Sequence, residues 1–189
     1  LKKSGSYLGI VTALQFLPTL FFSLQGGKIA DKFNKRKVLM VTNLVAGSSA
    51  LSVATLVLSD HIKIWHVMLF AFMLGMANAI DAPVRQSFNS EVVGKEDLPN
   101  AVGLNSANFN TGRLIGPGLS GVLIASYGTG VSFLLNGISY LFVITALFSL
   151  REEELHIEKI ERTSIKIREA LDYVKARPDI LAVMITVFF

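Results

Sequence analysis

An all-α membrane protein is predicted by three features of this chain. Hydrophobic residues make up 51% of its 189 residues and charged residues only 17%, and mean hydropathy is positive, far from the average soluble domain. The charges gather between apolar runs whose length matches a bilayer: at about 1.5 Å of rise per residue, a hydrocarbon core about 30 Å thick needs roughly twenty apolar residues. Within each run the apolar positions lie on all faces rather than on one stripe, which marks lipid-embedded helices and not surface amphipathic ones.

Five runs qualify: Tyr7 to Gln25, Val38 to Leu58, Ile64 to Val84, Leu98 to Tyr127 and Val131 to Leu150. A sixth opens at Leu181 and breaks off at Phe189. Because the chain begins with Leu1 and stops inside an apolar run, it is read as a piece of a longer one, and no targeting segment can be judged. Pro83, near the end of the third run, predicts a bent or frayed helix end.

The connectors alternate sides, and their cations set the orientation. Lys28, Lys32, Lys35, Arg36, Lys37, Arg85, Lys95 and the seven cations from Arg151 to Arg177 fall on one side, fourteen of the eighteen in the chain. Lys2, Lys3 and Lys63 fall on the other, and Arg113 lies inside a span. That bias places the fourteen in the cytoplasm. The net charge of +4 therefore faces lipid headgroups rather than nucleic acid.

Residues 151–178 read as a charged cytoplasmic linker between a transmembrane half, 1–150, and the start of a second, 179–189. Inside the linker, Ile167, Leu171 and Val174 form an apolar stripe on a short helix that Pro178 ends. With no Cys, the chain has no disulfide, thiol nucleophile or thiolate metal site, and His61, His66 and His156 lack ligand-like spacing. No cofactor is implied. Paired acids on facing helices, which a membrane-embedded enzyme would show, are missing. The one acid cluster, Arg151 to Leu155 (REEEL), is a solvated helix end.

Gly27, Asp31, Lys32, Arg36 and Lys37 stand as G-x-x-x-D-K-x-N-x-R-K, which resembles the loop motif between the second and third helices of the major facilitator superfamily. Asn34 stands where that family usually has Gly. A tight turn is expected there, and Asn tolerates positive φ. A second pattern, Gly103, Gly112, Gly116, Pro117 and Gly121, looks like the antiporter motif of the superfamily's export branches, with Ser120 replacing one of two closing glycines. Glycines on one helix face let another backbone approach, and Pro117 frees the Arg113 carbonyl, so a bent, closely packed helix is expected. Across essentially its whole length the chain is most similar to the macrolide-efflux and enterobactin-exporter-like branch.

This resemblance implies a major-facilitator-type helical bundle in which the five runs are the second to sixth of twelve helices and the sixth run opens the seventh. It implies inverted three-helix repeats with a substrate site near the bilayer midplane. It also implies a cytoplasmic gate latched by the first motif, with Asp31 facing a helix N-terminus of the other half. The expected function is secondary export of small amphipathic molecules, of drug or siderophore type, by a monomer in the cell membrane. Coupled protons and membrane lipids are the further partners. Uptake by the same fold and a non-transporting scaffold are the alternatives. Drug-proton antiporters often carry an Arg four residues before a Gly in the fourth helix. Here Ala71 precedes Gly75, which leaves that position without a titratable group.

Ionisable side chains inside a membrane are functional candidates by default. Arg113 lies roughly 20 Å below an outer boundary at Tyr127 and Asp81 roughly 24 Å below one at Trp65. Asp81 is one helical turn from Arg85, a spacing that favours an ion pair, although Arg85 is near enough to the interface to snorkel. Asp81, Arg85 and Arg113 are expected to form a charge network facing the central cavity, rearranged between inward-open and outward-open states. A static pair, or an acid for Arg113 in a first helix, is the competing reading. Gln15, Asn78, Asn105 and Asn108 are cavity-lining candidates because a lipid-facing amide would leave donors unpaired, with interhelical hydrogen bonding as the rival role.

Overall fold

The computed structural model describes residues 5–94, 96–151, 155 and 156, all within one compact unit, Leu1–Ile157. They form α1 (Gly5–Lys32), α2 (Lys35–Leu58), α3 (Ile64–Val93) and α4 (Leu98–Ser149). Each contains a stretch long and apolar enough to cross a membrane. α4 leaves helical geometry at Gly128, with φ 81° and ψ 170°, a backbone region essentially restricted to glycine. This break separates a first arm, 98–127, from a second arm, 129–149, so the described residues contain the five expected crossings.

α1 lies along α3, while α2 packs against both α3 and α4. Three contacts fix the direction of the second arm: Gly130 meets Leu58, Gly137 meets Leu51, and Gly47 meets Tyr140. Numbers rise along one helix as they fall along the other, so α2 and the second arm are antiparallel. The connector at 33–34, the end of α3 at Gly94 and the end of α4 at Leu150 therefore share one end of the bundle. The connectors at 59–63 and around Gly128 share the other. The cation-rich side of the sequence is the first of these ends.

All four helices converge at that end. Ala30 of α1, Leu39 of α2, Val84 and Phe88 of α3, and Leu147 of α4 form a buried cluster, with Leu39 and Val84 fully enclosed. Elsewhere large apolar side chains point outward. Leu20 is 79% exposed and Leu114 83%, a surface that water would not tolerate over such an area and that hydrocarbon accommodates.

Several helix ends differ from the apolar runs. α1 continues past Gln25 to Lys32, so Gly27, Asp31 and Lys32 ride on its final turns and the connector to α2 shrinks to Phe33 and Asn34. α2 begins at Lys35 rather than Val38, and α3 runs on past Val84 to Val93 with Pro83 in its interior. Hydropathy marks the hydrocarbon-embedded part of a helix, whereas the helix itself extends into the headgroup zone, which brings the bilayer to about 40–45 Å. The tight connection expected at Asn34 is present, but without positive φ. Asn34 has φ −61° and ψ 112° and caps α2, its Oδ1 accepting the Lys37 N–H at 3.1 Å, so the turn is closed by a side-chain cap and not by left-handed backbone. The stripe of Ile167, Leu171 and Val174 and the run from Leu181 lie outside the described residues.

Gly128 supplies a direct test. Gly128→Ala should destabilise the bundle by about 1–3 kcal/mol through backbone strain, read as a lower thermal unfolding midpoint in detergent. Gly9→Ala, whose added methyl would meet no neighbour, should unfold like the parent. Equal midpoints for the two variants would contradict the turn.

Candidate functional site

The most concentrated polar chemistry in the described helices surrounds Asp81. Its Oδ1 accepts Thr42 Oγ1 at 2.7 Å, Asn43 Nδ2 at 3.1 Å and Arg85 Nη2 at 3.1 Å, and its Oδ2 accepts Arg85 Nε at 2.8 Å. Arg85 Nη2 also donates to Asn43 Oδ1 at 3.5 Å. Thr42 and Asn43 are buried on α2, while Arg85 reaches partly into solvent-accessible space. Tyr140, packed over Gly47, lies within electrostatic range of both charges. A carboxylate inside a membrane is costly unless paired and hydrogen-bonded, and here four donor contacts from two helices surround it. The expected Asp81–Arg85 pair is present.

A second polar assembly closes the cation-rich end of the bundle. Lys35 forms an ion pair with Glu91 of α3. Arg36 donates from Nε to the Leu147 carbonyl and from Nη2 to the Phe148 carbonyl, each at 2.6 Å. Those oxygens are among the last of α4, which the helix cannot satisfy itself and where positive charge is favoured. His156 N–H donates to the Glu91 carbonyl at 2.7 Å, so the start of the linker returns to the end of α3. Of the cations between Lys28 and Lys37, Lys35 and Arg36 thus bind other helices of this bundle. Lys28, Lys32 and Lys37 are exposed, and Lys32 Nζ sits 5.9 Å from the Phe33 ring centre.

The structure does not bring Arg113 to Asp81. Arg113 is exposed on the first arm of α4, its guanidinium 5.8 Å from the Phe109 ring centre. The same arm carries Gly103, Gly112, Gly116, Pro117 and Gly121, and beyond the arm's own adjoining backbone no described atom comes within 4 Å of where a methyl on any of the four glycines would be. Asn105 and Asn108 line an open groove of about 630 Å³ between this arm and the end of α3, together with Asn89, Val92 and Thr111. Asn78 is exposed on α3, and Gln15 is half-buried on α1.

Sequence reasoning missed the partners from other helices. Thr42 and Asn43 escaped because neighbouring helices' registers are invisible in one chain, although an amide in an apolar run was a usable signal. Glu91 was hidden beyond the expected end of α3.

The helical, lipid-facing architecture, with the Asp81 carboxylate paired and hydrogen-bonded inside the bundle, defines a multi-pass membrane protein. Residues 1–189 match a family described as transmembrane secretion effector, and the chain belongs to this family of major facilitator superfamily transporters. The members of this family are transporters and not enzymes. The chain is 29% identical over 184 residues to a staphyloferrin A transporter of Staphylococcus aureus, covering 95% of this chain and 46% of that protein. It is 28% identical to multidrug resistance protein 2 of Bacillus subtilis, over 88% of this chain and 40% of the relative. With the multidrug efflux pump Tap of Mycolicibacterium fortuitum it shares 26% identity, over 90% and 42% of the two chains. The chain therefore spans less than half the length of these relatives. No solved structure matches.

The Asp81 cluster predicts a graded stability series. Asp81→Asn should lower stability by about 1–3 kcal/mol, since it leaves buried donors without a charged acceptor. Thr42→Val should cost less, and Arg113→Gln should fall within about 0.5 kcal/mol of the parent. Thermal unfolding in detergent reads the order. A double-mutant cycle on Lys35→Ala and Glu91→Ala should return a coupling of about 0.5–3 kcal/mol, whereas strict additivity would dissolve that pair.

Proposed function

We propose that the intact protein is a secondary transporter of the cell membrane that exports small amphipathic molecules, of drug or siderophore type, by alternating access. The observation that carries this reading is the ion pair of Asp81 and Arg85 held between two lipid-embedded helices, because a charge kept inside a membrane at a desolvation cost marks a working element. Multidrug resistance and multidrug efflux in the names of two relatives, and transport of staphyloferrin A, a siderophore, in that of a third, support the substrate class. The export-type pattern from Gly103 to Gly121 supplies the direction. Uptake through the same fold is the second reading, favoured by the siderophore transporter, whose name carries no direction.

In this proposal Gly27, Asp31, Lys32, Arg36 and Lys37 stabilise the closed cytoplasmic gate. Lys35–Glu91 and the Arg36 contacts hold that end of the bundle together while the gate works. Asp81 and Arg85 form the resident half of a charge network that Arg113 joins in one conformation. Gln15, Asn78, Asn105 and Asn108 offer amides to substrate, and the bend motif lets the first arm of α4 approach the second half of the transporter. Proton coupling and a monomeric state complete the reading.

Cells expressing the intact protein and preloaded with ethidium should lose the dye faster than vector controls, and Asp81→Asn and Arg113→Gln should each cut that rate at least severalfold at normal membrane abundance. Full transport by both variants would remove the charge network from the mechanism. Faster accumulation than in controls would select uptake.

A further inference from the structure

α1 and α3 each carry a proline in the helix interior, Pro18 and Pro83, and each proline is seated against a glycine of the other helix. At the first rung, Pro18 of α1 is fully buried, and a methyl on Gly75 of α3 would lie 3.1 Å from Pro18 Cγ and collide with the Gln15 carbonyl oxygen. At the second the roles are exchanged. A methyl on Gly26 of α1 would lie 2.8 Å from Pro83 Cγ and 2.7 Å from the Ala79 carbonyl oxygen. Neither glycine has room for a side chain.

The spacing is the same on both helices: eight residues separate Pro18 from Gly26 and Gly75 from Pro83, about 12 Å along either axis. The rungs match only because the two helices run parallel.

The second rung also bears on backbone polarity. Proline has no N–H, so Pro83 leaves the Ala79 carbonyl without its helical donor, and in hydrocarbon that oxygen needs another neighbour. It faces Gly26, the type of residue that permits Cα–H···O approach between packed helices. At the first rung the facing oxygen belongs to Gln15, whose helical donor is Thr19 and not a proline, so that contact is one of close packing alone. Two prolines that would loosen isolated helices are thus each braced by the other helix.

We propose that these reciprocal rungs make α1 and α3 a single rigid element, with Gly26 and Gly75 as positioning residues that join the cytoplasmic gate to the charge cluster. Gly26 directly precedes Gly27 of the gate motif, and Ala79 and Pro83 flank Asp81. A shift of the gate end of α1 is therefore passed to the turn that carries Asp81 and Arg85. The consequence for transport rests on the function proposed above. The rigidity itself does not.

Spin labels at Leu20 and Phe72, both exposed on their helices, test this in the intact protein in lipid nanodiscs, with any cysteine beyond this cysteine-free chain replaced. Pulsed dipolar spectroscopy should return one narrow distance that is unchanged with ethidium and between acidic and alkaline buffer. Gly26→Ala and Gly75→Ala should each broaden or lengthen it, and Gly9→Ala should not. Two populations in the parent, or a parent-like distance in both glycine variants, would overturn the proposal. Should either variant fail to insert, the parent's distribution still decides. A rigid pair with no efflux would leave the proposal standing and remove the transport reading.

Discussion

Hydrocarbon offers no hydrogen-bond partner, and nearly every feature of this bundle answers that constraint. It forces the backbone into helices, which close their own hydrogen bonds. It also governs the polar side chains: Ser49, Ser52 and Thr55 of α2 and its C-cap Ser59 turn their hydroxyls back onto carbonyls one turn earlier, the usual refuge for such groups in a membrane helix. Where local closure is impossible, as for the Asp81 carboxylate, the partners come from a neighbouring helix. Among the described residues no buried side-chain nitrogen or oxygen lacks one.

The same constraint ties stability to position. Away from the cation-rich end, hydrophobic burial gives little drive for helices to associate, since lipid is as apolar as leucine. What joins them is close approach and specific polar contact. The approach is made by Gly26, Gly47, Gly75, Gly130 and Gly137, each of which meets a neighbour too closely for a side chain. The polar contacts are Asp81 with Thr42 and Asn43 in the membrane, and Lys35 with Glu91 and Arg36 with the end of α4 at its edge. The gate motif thus has a structural duty inside this half besides the latching duty its resemblance implies.

Much of the fold was legible in the sequence because it follows from composition and length. Apolar runs located the crossings, and the lysines and arginines of the connectors gather at one end of the bundle. The Asp81–Arg85 pair was legible from its one-turn spacing. Less legible were features set by contacts between helices. Pro83 looked like a helix end, yet the helix passes through it, braced by Gly26 of α1. Asn34 suggested positive φ because it replaces a glycine, whereas the two-residue turn keeps φ negative and uses the side chain as a cap. The partners of Asp81 depended on the register of α2 against α3, which no single stretch of sequence encodes. The first arm of α4 shows the opposite case: its motif was easy to read, and the described residues place nothing against it.

The central claim is that the helices alternate across the bilayer with their cation-bearing connectors in the cytoplasm, since the gate motif, the charge cluster and the export reading all presuppose it. Single cysteines at Lys35 and Lys63, probed in intact cells with a membrane-impermeant maleimide, test it most directly. The account predicts that position 63 is labelled from outside while position 35 reacts only after the membrane is opened. Labelling of both from the same face would contradict it.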